Sequence, residues 1–156
     1  MKPIFKPQTE WIPPESFPDL SKYDEIAIDL ETKDPELKTM GSGSVTGRGH
    51  IVGIAVAVHD WAGYYPIRHE GGGNMDIKMV LKWFQDVLNT PATKIFHNAM
   101  YDVCFIRASG LEIRGNIVDT MIAGSLVDEN RFRYDLGSLG RDYVGKGKNE
   151  AVLKET

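Results

Sequence analysis

From Glu25 to Glu31 the chain reads E-I-A-I-D-L-E, with Ile26, Ile28 and Leu30 falling on one side and Ala27, Asp29 and Glu31 on the other. A period of two predicts a strand with one wet, acidic end. The glycine- and serine-rich stretch from Gly41 to Gly49 leads into H-I-V-G-I-A-V-A-V, residues 50–58. Its unbroken small and β-branched residues predict a strand central in its sheet and buried on both faces. After a turn at His59 to Gly63, Y-Y-P-I-R-H predicts a third strand, paired back as a hairpin, and Pro66 favours an edge position. Gly71 to Gly73 then reads as a turn, because neither a P-loop lysine nor a strand-G-x-G-x-x-G-helix context accompanies it.

Ile77, Val80, Leu81, Phe84, Val87 and Leu88 recur at helical spacing, and Thr90-Pro91 supplies the stop. K-I-F-H, residues 94–97, predicts a short strand. Asn98 is placed to cap a helix running to about Ser109, with Gly110 at its C-terminal end. N-I-V, residues 116–118, predicts another strand, Asp119 caps a helix through about Val127, and Asp135 starts one around L-G-S-L-G-R-D-Y-V. The order β-β-β-α-β-α-β-α-α implies an α/β domain with a mixed sheet, since the hairpin is antiparallel and the later strands return through helices.

Five prolines between Pro3 and Pro18 forbid regular helix over residues 1–22. An extended arm, pinned by Trp11, Ile12 and Phe17, therefore precedes a domain over 23–156. The 156 residues, 42% apolar and 26% charged, suffice for one core and not for two. A net charge of −4 leaves no basic footprint of the kind that marks a protein held to nucleic acid by phosphate neutralisation alone, which weakens a simple DNA-binding reading. It leaves room for carboxylates that recruit cations, which reverse the local charge. Cys104 is the single cysteine, so an internal disulfide is impossible, and a lone thiol suits a reducing cytoplasm. No apolar run is long enough to span a membrane, and the expectation is a soluble intracellular protein.

Asp29 and Glu31, two apart near a strand end, leave the same face. Paired carboxylates repel unless neutralised, and Mg²⁺ or Mn²⁺ are the usual partners of such oxygen ligands. A solvated strand end is the competing explanation. Asp102, four residues after Asn98, lies about one turn into the predicted helix. If the 94–97 strand lies beside the Asp29 strand, Asp102 becomes a third carboxylate at one cation site. Otherwise it is a surface residue favoured by the helix dipole. Asp119 is read as a helix cap, His97 as packed at a strand end, Tyr101 as core or site wall, and Lys146 and Lys148 as solvated.

I-A-I-D-L-E-T-K-D-P-E-L resembles the first exonuclease motif of the proofreading 3′-5′ exonuclease domains of family A (Pol I-type) DNA polymerases, and I-F-H-N-A-M-Y-D-V-C-F-I resembles the second. V-G-I-A-V-A-V, Y-Y-P-I-R-H-E-G-G-G, D-T-M-I-A-G-S-L-V-D-E-N and Y-D-L-G-S-L-G-R-D-Y-V-G-K-G-K follow in the same order, so the resemblance spans nearly the whole chain. It implies a ribonuclease H-like fold of the DEDD type, with a mixed sheet flanked by helices. It implies two divalent cations, Mg²⁺ or Mn²⁺, with Asp29, Glu31 and Asp102 as catalytic metal ligands, and Thr32 and Asn98 on the terminal nucleotide. The implied substrate is a single-stranded DNA 3′ end and the implied partner a polymerase domain or downstream segment of the same protein, in phage, bacterial or organellar replication.

The family's fourth carboxylate belongs to a Y-x-x-x-D motif. Four residues after Tyr23, Tyr64, Tyr65, Tyr101, Tyr134 and Tyr143 stand Ala27, Arg68, His69, Phe105, Ser138 and Gly147. The domain is thus expected to be C-terminally incomplete and weakly active alone, unless Asp128, Asp135 or Asp142 completes the site. Two rivals stay open. A ribonuclease D-like enzyme would act on RNA, although H-E-G-G-G favours the polymerase-linked branch. A silent module of the same fold would bind DNA or a polymerase without cutting.

Overall fold

The computed structural model describes residues 12–146. Within them, β1 (Glu25–Lys33), β2 (His50–Val58), β3 (Trp61–Pro66), β4 (Thr93–Phe96) and β5 (Ile117–Asp119) form one sheet in the order β3-β2-β1-β4-β5. β1 pairs antiparallel with β2 and parallel with β4, and β4 pairs parallel with β5. The expected mixed sheet is thus present, with Pro66 on an edge strand where its missing N–H costs no ladder bond.

The helices are α1 (Leu37–Met40), α2 (Gly43–Thr46), α3 (Ile77–Asn89), α4 (Ala99–Ala108), α5 (Thr120–Val127) and α6 (Leu136–Leu139), followed by a π-helical turn at Gly140–Val144. The short helix α2 lies within the Gly41 to Gly49 stretch expected as a loop, and α1 just before it. Gly43 and Gly49 cross so closely there that a Cβ on Gly43 would stand 2.5 Å from Gly49 Cα. α3 starts at Asp76, whose side chain accepts the Met79 N–H, and stops before Pro91.

Val80, Trp83, Phe84, Val87 and Leu88 of α3, with Phe105 and Ile106 of α4, bury the Ile26, Ile28 and Leu30 face of β1 together with Ile54 and Val56 of β2. The other face is only partly covered. Ala27 and Asp29 are exposed and Ala55 and Ala57 half-buried, so β2 is internal but not sealed on both sides as its composition suggested. The alanines explain the difference: they are apolar but too small for their exposure to cost much.

Lys94 of β4 is fully buried, its ammonium held by the carbonyls of Thr90, Ala92 and Arg114 and by the Thr90 hydroxyl. In the arm, Phe17 stacks on Tyr65 at 5.5 Å, the Tyr65 hydroxyl donates to Ser16 O, and the Trp83 indole donates to Pro18 O. Ile12, expected to pin the arm, is instead 75% exposed. Trp11 and Lys148 lie outside the described residues.

Candidate active site

β1 carries Asp29 and Glu31 on the less covered face, both exposed, and its register slips between Glu31 and Thr32. Such a bulge twists a strand locally and re-aims the side chains that follow. Because β4 lies beside β1, the helix that follows β4 begins next to the acidic end of β1. Asp102, in the first turn of α4, is only 4% exposed.

Burial pushes the Asp102 carboxyl up to about 7, and the Asp29 carboxylate adds to the rise. A hydrogen bond from the backbone of Leu30, the residue between Asp29 and Glu31, pulls the other way. Glu31 and Asp119 contribute smaller repulsions. Asp29, Glu31 and Asp102 therefore share one electrostatic neighbourhood. Among the described residues no three carboxylate, imidazole or thiol groups already form a cluster tight enough to hold a metal ion.

Thr32 is engaged by its neighbours. The Tyr101 hydroxyl donates to Asp34 Oδ2 at 3.0 Å and lies 3.0 Å from Thr32 Oγ1, so the Thr32 hydroxyl is left to donate to Tyr101. Asp34 also accepts the Gly43 N–H, which fastens the glycine loop to the end of β1. Tyr101 packs against the core beside Phe105, as one of its two expected roles had it. Asn98 stands exposed at the N-terminus of α4 in the left-handed region, φ 64°, a conformation asparagine tolerates better than most residues.

Asn98 stands at the N-cap position of α4, as expected, but its side chain makes no capping bond. Asp119 caps the helix from the neighbouring strand, accepting the N–H groups of Asn98 at 3.0 Å and Ala99 at 2.8 Å while also capping α5 through Met121 N–H at 2.9 Å. Burial alone would raise the Asp119 carboxyl. The four backbone N–H donors gathered on it outweigh that and hold it low. His97 is packed at the end of β4, with its Nδ1 2.9 Å from the Thr120 hydroxyl. The alternative carboxylates are occupied elsewhere. Asp128 accepts from Asn130 N–H, Asp135 caps α6, and Asp142 pairs with Arg131.

A family model described as 3′-5′ exonuclease matches residues 8–154. The chain belongs to the 3′-5′ exonuclease family. A DNA-directed DNA polymerase of Pseudomonas phage M6 is 32% identical to this exonuclease chain over 160 residues, covering 94% of the chain and 23% of the polymerase. DNA polymerase I of Pseudomonas aeruginosa is 27% identical, covering 81% of the chain and 14% of that protein. The exonuclease chain spans about a quarter or less of the length of these relatives.

Among solved structures, Brucella melitensis NrnC with bound Mg²⁺ superposes with a TM-score of 0.58 at 20% identity, covering 84% of this chain and 58% of that one. Escherichia coli RNase D, an exoribonuclease, superposes at 0.60 and 16% identity, covering 86% of this chain and 31% of its own. The fold is therefore the ribonuclease H-like one of these nucleases.

Beside the candidate carboxylates stands a side chain that the sequence did not point to. Asp29, Ala55 and Tyr64 stand in one row across β1, β2 and β3 and, with Ala27, His97 and Thr120, line a cavity of about 790 Å³ on the less covered face. Tyr64 carries its hydroxyl to His69 Nε2 at 2.5 Å. Burial, then the carboxylates of Glu31 and Asp29, push the phenol up to about 12. The hairpin register between β2 and β3 was the signal that could have placed Tyr64 beside Asp29.

Proposed function

We propose that this chain is the proofreading exonuclease unit of a DNA polymerase, removing nucleoside 5′-monophosphates from single-stranded DNA 3′ ends by hydrolysis of the terminal phosphodiester. One observation carries this: Asp102, almost wholly buried, lies in the field of Asp29 and Glu31 and is raised to about 7, the signature of a carboxylate set short of positive charge. Three hard oxygen donors with that deficit fit Mg²⁺ or Mn²⁺. Asp29, Glu31 and Asp102 would hold the cations, the first two from the exposed face of β1 and Asp102 from the first turn of α4. Cations bound there supply the Lewis acidity that activates water and stabilises the leaving 3′ oxygen.

The protein's own part is positioning. A cleft on one sheet face admits an unpaired strand end and excludes a duplex, which gives preference for frayed, mismatched termini. Thr32, steadied by Tyr101, and Asn98, exposed at the start of α4, would contact the terminal nucleotide. The partner is a polymerase domain of the same protein, as the matched relatives suggest. Exposed Ile122, Leu126, Val127, Leu136 and Val144 on the α5 to α6 region offer apolar area of the kind a neighbouring domain covers.

The test is release of mononucleotides from matched single-stranded DNA and RNA oligonucleotides with Mg²⁺ and with EDTA. The expected result is Mg²⁺-dependent 3′-to-5′ shortening of DNA. Preferential shortening of RNA would transfer the chain to a ribonuclease D-like role, and cation binding without cleavage of either would leave a silent module.

A further inference from the structure

Gly53 and Glu31 are cross-strand partners on β2 and β1, so a side chain at position 53 would lie beside the Glu31 side chain on the same face. Position 53 has no side chain, and the Tyr64 phenol fills the place: a Cβ built on Gly53 would stand 1.9 Å from the Tyr64 hydroxyl oxygen and 2.4 Å from Cζ. The phenol has come diagonally from β3, where Tyr64 is paired with Ala55, across the space that Gly53 leaves open. Facing side chains in such pairs have Cβ atoms about 5 Å apart, which puts the hydroxyl within reach of the Glu31 carboxylate.

The hydroxyl is held from behind. His69 Nε2 lies 2.5 Å from it. His69 is itself fixed by Asn74, whose amide oxygen accepts the His69 N–H at 2.7 Å and whose amide nitrogen donates to the His69 carbonyl at 2.8 Å. A phenol has one proton. Were His69 to donate through Nε2–H, Tyr64 would accept that bond and direct its own proton to a carboxylate.

We propose that Tyr64, clamped by His69, is a positioning residue that hydrogen-bonds Glu31 and sets its carboxylate for cation binding. The proposal rests on the cation site put forward above. Groups of this kind, which touch a ligand rather than the metal, commonly change metal affinity or activity by a factor of 10 to 100.

The experiment is a Mn²⁺ titration of the full 156-residue chain, following free Mn²⁺ by electron paramagnetic resonance, alongside metal-free melting curves. Tyr64→Phe keeps the ring and is expected to raise the Mn²⁺ Kd about tenfold or more with little change in Tm. Gly53→Ala displaces the phenol and should act in the same direction. His69→Ala is expected to match Tyr64→Phe, the double variant to be no worse than either alone, and His69→Gln to restore much of the affinity. Undiminished affinity in a folded Tyr64→Phe protein, with Asp29→Asn impaired, would overturn the role of Tyr64 alone. Undiminished affinity in Asp29→Asn as well would overturn the cation site and this inference with it.

Discussion

The carboxylate of Asp119, at the end of β5, accepts the backbone N–H of Asn98 at 3.0 Å. With the adjoining bond to Ala99, it fixes the first turn of α4, and hence the helix carrying Asp102, to the neighbouring strand. The same carboxylate starts α5, so a single side chain sets two helix origins.

Asp119→Ala should therefore remove two caps at once. At about 1 kcal/mol per cap, stability should fall by about 2 kcal/mol. For a chain of this size that lowers Tm by about 4 to 8 °C. Mn²⁺ affinity should fall too, since Asp102 loses its anchor. A variant with unchanged melting and unchanged Mn²⁺ binding would mean that α4 is held by its packing alone.

The raised Asp102 carboxyl gives the metal-free protein a pH dependence of definite sign. Below its ordinary value of 3.8 the group is protonated in folded and unfolded chains alike, and it contributes nothing. Between about 4 and about 7 the unfolded chain releases the proton that the folded one keeps, so stability falls as pH rises, then levels off. Asp102→Asn should flatten that slope, and saturating Mg²⁺ should offset it by favouring the ionised form. Urea denaturation at a series of pH values reads this, and an equal slope in Asp102→Asn would refute the assignment.

Asp29→Asn removes one of the carboxylates that repel Asp102. Without metal its Tm should hold or rise, and Mn²⁺ binding and any nuclease activity should be lost. A large drop in metal-free Tm would make Asp29 a structural residue.

Lys94→Met should destabilise the fold without touching the site. The ammonium donates to the buried carbonyls of Thr90 and Ala92, to the buried Thr90 hydroxyl and to the part-buried carbonyl of Arg114, and leaving a buried acceptor unpaired costs about 1 to 3 kcal/mol before relaxation. The expected loss is at least about 3 kcal/mol by chemical denaturation, with little change in Mn²⁺ affinity in the fraction that folds.

Much of this was legible in the chain. The alternation of Ile26, Ile28 and Leu30 with Ala27, Asp29 and Glu31 is local, and it gave both the strand and its acidic face. The step of four from Asn98 to Asp102 gave one helical turn. What the sequence could not carry was pairing between distant segments. Asp119 reaches Asn98 because Phe96 and Asp119 are register partners across β4 and β5. Tyr64 reaches the site because Ala55 pairs with it on one side and with Asp29 on the other, over a gap that Gly53 leaves. Asn98 misled for a local reason: a good capping residue was placed in a left-handed turn, where its side chain faces no unpaired amide of its own helix.

The central claim is that Asp29, Glu31 and Asp102 hold a divalent cation together. Crystals of this chain grown with MnCl₂ and measured at a wavelength where manganese scatters anomalously would test it most directly. The account predicts an anomalous peak at the end of β1 with oxygens of all three carboxylates as inner-sphere ligands. A peak elsewhere, with these carboxylates unliganded, would contradict it.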